Sequence, residues 1–68
     1  MNNTETPKLA DWLIDGDIIK DSDELRVYDT LGALITRGAW FEDRLLALAS
    51  FHCTVERTDE NVVTVRLN

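Results

Sequence analysis

Cysteine, proline, glycine and basic side chains are all scarce in this chain. Cys53 is the single cysteine among 68 residues. No intramolecular disulfide can therefore form, which argues against a small stapled secreted scaffold and for a reducing, cytoplasmic setting. The three glycines, Gly16, Gly32 and Gly38, are scattered, so no glycine-rich loop exists to cradle a phosphate. No apolar run approaches the roughly 18 residues of a membrane span, and no charged-then-apolar leader opens the sequence. Lysine and arginine number 7 against 13 acidic residues, for a net charge of −6. The five arginines stand apart from one another along the sequence. Phosphate backbones and anionic lipid surfaces both call for clustered cations, so direct binding to nucleic acid or membrane is not expected.

What is present suffices for a core. Hydrophobic residues make up 44% of the chain and include Trp12, Tyr28, Trp40, Phe41 and Phe51. A chain this short forms one domain and buries only about 60% of its unfolded surface. It therefore depends on good packing or on a partner subunit. Residues 1–6 are expected to be a flexible N-terminus and residues 7–68 a single domain.

The charge is unevenly placed. Residues 11–30 carry Asp11, Asp15, Asp17, Asp21, Asp23, Glu24 and Asp29 against Lys20 and Arg26, whereas the rest of the chain is close to neutral. A block of one sign repels itself and persists where solvent or a cationic partner tolerates it.

Hydrophobic periodicity gives the order α-β-β-β-α-β-β. Thr6-Pro7 has the chemistry of a helix start, and Leu9, Trp12 and Leu13 recur at helical spacing over residues 7–14. Asp15-Gly16 is a stop signal. Residues 17–20 fit a short strand, followed by a turn at 21–24. Leu25 to Thr30 and Ala33 to Arg37 alternate as two strands of a hairpin around Leu31-Gly32. Residues 39–51 suit the main helix, with Phe41, Leu45, Leu48 and Ala49 on one face and Trp40 and Leu46 on its flanks. His52 to Thr58 and Val62 to Leu67 form the clearest strand pair, around the polar loop Asp59-Glu60-Asn61. The fold expected is α+β: a small antiparallel sheet of four to five strands, arranged as two hairpins, packed by one main helix with a short N-terminal helix.

Catalytic and metal chemistry find little support. Calcium loops of the EF-hand type require oxygen ligands at positions 1, 3 and 5, glycine at 6 and glutamate at 12. Counting from Asp15 or from Asp21, the fifth position is Ile19 or Leu25 and the sixth Lys20 or Arg26, so both registers fail. His52 and Cys53 lack the further ligands of a zinc site, and neighbours on a strand face opposite ways, which denies them a nucleophile–base contact. Cys53 fits a small core hydrophobe and His52 a cap on helix carbonyls. No enzyme activity, cofactor or metal is expected.

Interaction is the remaining expectation. Spaced carboxylates on a rigid frame can imitate nucleic-acid phosphates and fill a cationic groove. In size and charge alone, the chain is similar to small phage and mobile-element proteins that inhibit nucleic-acid enzymes. The contacts expected for a basic, nucleic-acid-handling protein partner are Asp11, Trp12, Asp15, Asp17, Asp21, Asp23, Glu24 and Asp29, with Trp12 as an aromatic anchor beside steering charges. The alternative is an assembly module, a homodimer or accessory subunit, formed through sheet edges or through Trp40 and Leu46.

Overall fold

The computed structural model describes residues 6–15 and 18–68. The elements are α1 (Leu9–Asp15), β1 (Glu24–Tyr28), β2 (Leu34–Gly38), α2 (Asp43–Leu46), β3 (Cys53–Asp59) and β4 (Val62–Leu67). The protein is α+β, with a four-stranded sheet in the order β2-β1-β4-β3.

The two hairpins form as their alternation predicts, β1 with β2 and β3 with β4, both antiparallel. They join through a parallel pairing of β1 with β4, in which Leu25 lies opposite Val63 and Val27 opposite Val65. The sheet is thus mixed, not antiparallel. The cause is the connection through α2: β2 ends beside the start of β1 and β3 begins beside the ends of β1 and β4, so the chain crosses from one end of the sheet to the other and the last strand runs in the direction of β1. β1 and β4 occupy the centre, and their inward residues Leu25, Val27, Val63 and Val65 are fully buried.

Alternation sorts the sheet into two faces. Leu25, Val27, Val63, Val65, Cys53 and Val55 point into the core, where Leu9 of α1, Ile19 and Leu45 of α2 join them. β2 contributes no buried residue. Glu24, Arg26, Tyr28, Thr54, Glu56, Thr64 and Arg66 alternate with the buried set, and those in paired registers lie side by side on the opposite face.

No strand forms at residues 18–20; Asp17, and the Gly16 stop signal, lie outside the described residues. Ile19 still reaches the core, being 6% exposed. The segment is held by side-chain bonds in place of a ladder. Asp23 accepts from the Lys20 amide at 2.8 Å, and its own amide donates to the Lys20 carbonyl.

The long helix expected over 39–51 is reduced to one turn, Asp43–Leu46. Beyond it the amides of Leu48, Ala49 and Phe51 donate three residues back, forming successive tight turns. The carbonyls of Ala49 and Phe51 accept the Ala10 and Leu9 amides at 2.9 and 3.0 Å. Those two amides open α1 and have no acceptor within their own helix. The end of one helical segment therefore caps the start of another. Of the expected apolar face, Leu45 is buried and Leu48 half-buried, but Phe41 is 53% exposed. Packing by a single main helix is accordingly replaced by two short ones, α2 against β2 and α1 against β3.

α1 begins at Leu9, two residues later than the Thr6-Pro7 signal suggests. The Asp11 carboxylate reaches back to the Lys8 amide at 3.1 Å, one half of a capping box. Thr6 does not cap. Its hydroxyl accepts from the Asn68 side chain, and its carbonyl from His52 Nδ1 at 2.7 Å. His52 is thus tied to the entering chain. The Cys53 amide bonds Pro7, and Lys8 bridges to His52. The incoming segment therefore covers the start of the β3 edge.

Gly38 is required where β2 meets α2. Its φ is +148°, and a Cβ there would lie 2.5 Å from Arg44 Nη2 and 2.7 Å from Glu42 Oε2. Arg44 pairs with Glu42 at 2.7 Å and donates through Nε to the Arg37 carbonyl at 2.8 Å. This closes one end of the β2 edge.

Candidate functional site

The acidic segment folds into several separate local structures. At Asp23 the carboxylate is fully buried, and Arg57 from β3 grips it at both oxygens, Nη2 to Oδ2 at 2.6 Å and Nη1 to Oδ1 at 3.2 Å. The same guanidinium donates to the carbonyls of Ile18 at 2.7 Å and Glu60 at 2.9 Å. Arg57 thereby fastens the 18–23 loop to the β3–β4 turn. Its hydrogen bond holds the Asp23 carboxyl below the ordinary carboxylate range, outweighing the opposing effect of burial.

Asp29 builds the β1–β2 turn. Its Oδ1 accepts the amides of Leu31 at 2.8 Å and Ala33 at 2.9 Å, and Gly32 follows at φ +89°. Glu24 lies on the outer sheet face, 3.4 Å from Arg26 and 3.8 Å from Arg37. Asp21 is exposed and accepts from the Trp40 indole at 2.9 Å. Asp11 is exposed and caps α1. Asp15 ends α1, but its side chain, and all of Asp17, lie outside the described residues. Trp12 is half-buried and donates through its indole to the Cys53 carbonyl at 3.1 Å.

Among the eight expected contact residues, then, Asp11 and Asp21 keep exposed carboxylates and Glu24 and Asp29 partly exposed ones, while Asp23 has none to offer. The apolar side chain that α1 exposes is Ile14, at 82%. Its position was legible: at about 100° per residue it falls well off the Leu9–Trp12–Leu13 stripe. The role of Arg57 was not, since it lies 34 residues from Asp23.

Cys53 is buried, and desolvation pushes its thiol up to about 11. It therefore keeps its proton at neutral pH. Trp40 packs against the core and meets Phe41 edge-to-face at 5.5 Å. Among the described residues no three His, Cys, Asp or Glu side chains gather as metal ligands, and no helix is long and apolar enough to cross a membrane.

No family model, curated protein or solved structure matches the chain.

Proposed function

We propose that this is a non-enzymatic binding protein that docks through its acidic segment on a basic surface of a nucleic-acid-handling protein and inhibits or regulates it. The observation that carries the reading is the exposure of Ile14. It is an aliphatic side chain 82% exposed, on the helix that also displays Asp11 and within the segment that displays Asp21. An exposed apolar contact in a segment that also displays steering carboxylates suits a protein interface. Asp23 enters this reading only as the pin that holds the loop, and Trp12 as the residue that seats α1 on β3.

The test compares the wild-type chain with Asp11→Lys/Ile14→Ser/Asp21→Lys as bait in nuclease-treated lysate at low and high salt. The reading requires a nucleic-acid enzyme that is captured by the wild type, released by salt, lost with the variant, and slowed by added wild-type chain. Identical captures by both baits would refute it.

A second reading, self-assembly, is favoured by β2. This edge strand carries Leu34 and Ile35, each about half exposed, next to Leu31 at 91%. Exposed apolar edges template pairing with another chain. Leu46, 41% exposed, is a weaker candidate for the same role. Sedimentation equilibrium at micromolar concentration decides: a dimer dispersed by Ile35→Lys supports assembly, and a monomer removes it.

A further inference from the structure

The outer sheet face holds a groove that the docking reading does not use. It is open to solvent, with a volume of about 720 Å³, and Tyr28, Asp29, Leu31, Thr54, Thr64 and Arg66 are among its lining residues. Registers explain the grouping. Arg66 on β4 lies between Tyr28 of β1 and Thr54 of β3, and the Asp29–Gly32 turn forms one end wall.

Arg66 is distinctive. Arg26 and Arg37 pair with Glu24, Arg44 with Glu42, and Arg57 with Asp23. Among the described residues, Arg66 is the one arginine whose guanidinium makes neither an ion pair nor a hydrogen bond. A planar five-donor cation with unused donors, set beside an aromatic ring and two threonine hydroxyls, is suited to an oxyanion joined to a flat body. We propose that this groove binds a small ligand bearing one carboxylate or phosphate monoester, with the oxyanion on Arg66, the flat portion against Tyr28, and Thr54 and Thr64 bonding its polar edge. The chain's net charge of −6 opposes polyanions, which limits the ligand to one or two negative charges.

The test is an amide NMR titration of the full chain with adenosine monophosphate, adenosine and benzoate in parallel. The first and third separate phosphate from carboxylate sources. Saturable shifts confined to Tyr28, the 29–32 turn, Thr54, Thr64 and Arg66, with a Kd on the order of 1 mM or tighter for at least one anion, are expected. Arg66→Gln, an exposed change whose fold is checked by its own spectrum, should weaken that anion at least about tenfold, while adenosine should bind at least about tenfold more weakly than its monophosphate if phosphate is the group recognised. Absence of saturation by both anions at 10 mM (about ten times the expected Kd), scattered shifts, or equal binding by Arg66→Gln would overturn the proposal. The docking reading rests on α1 and would survive that failure.

Discussion

Replacing Asp23 by asparagine tests how the first third of the chain is held. The substitution preserves shape but removes the charge and turns one acceptor into a donor. One of the two Arg57 nitrogens, at 2.6 or 3.2 Å, then faces an amide NH₂. Charge-assisted hydrogen bonds contribute about 1.5–3 kcal/mol each, and breaking a buried pair costs about 3–5 kcal/mol. Arg57 is itself 32% exposed, and it keeps its bonds to the Ile18 and Glu60 carbonyls. We therefore expect a loss at the lower end, about 2–3 kcal/mol. A domain of this size has roughly 3–10 kcal/mol in all. With a urea slope of about 1 kcal/mol/M, the midpoint should fall by about 2 M, read by tryptophan fluorescence. The pH profile supplies an independent check. Asp23 has a folded-state pKa below its unfolded value, so its stabilisation is fully present above an unfolded pKa of about 3.9 and is lost as pH falls through the lower folded value. Asp23→Asn should remove that acid-sensitive component. A midpoint shift worth less than about 0.5 kcal/mol, or effects of Asp23→Asn and Arg57→Gln that simply add, would refute the reasoning.

Gly38→Ala should lose about 1 kcal/mol, because the backbone lies at positive φ, while the tips of Arg44 and Glu42 can swing clear of the new Cβ; thermal unfolding reports it. Trp12→Phe removes the indole bond to the Cys53 carbonyl and should cost about 1 kcal/mol, and an unchanged denaturation midpoint would show that bond to be inconsequential. Cys53, buried with its thiol raised to about 11, should react with a disulfide reagent at neutral pH at least about a hundredfold more slowly in the folded state than in urea. Comparable rates would place it at the surface. Asp29→Ala strips the β1–β2 turn of two amide acceptors and should broaden or shift the amide signals of residues 30–33 while destabilising the domain by about 1 kcal/mol.

Much of the fold was legible because its signals are local. Period-two alternation placed all four strands to within about two residues, and it puts Leu25 with Val27, Cys53 with Val55, and Val63 with Val65 on common faces, which the sheet turns inward. Helical spacing found α1 and set Leu9 toward the interior. Composition alone also established that no disulfide can brace the chain and that the acidic excess lies in residues 11–30.

Tertiary structure decided everything that joins distant segments. Whether β4 lies parallel to β1 depends on the path taken between hairpins, which side-chain alternation does not encode. The end of the α2 segment meets α1 in a way the sequence does not display: the carbonyls of Ala49 and Phe51 serve two amides of α1 that have no acceptor within their own helix. The acidic segment illustrates the same point at the level of charge. Its seven carboxylates look alike in sequence. Folding places Asp23 beneath an arginine 34 positions away, gives Asp29 to a turn, and leaves Asp11 and Asp21 at the surface. A carboxylate's availability is set by what packs over it and by which cation reaches it, and both are properties of the assembled sheet, not of the chain's order.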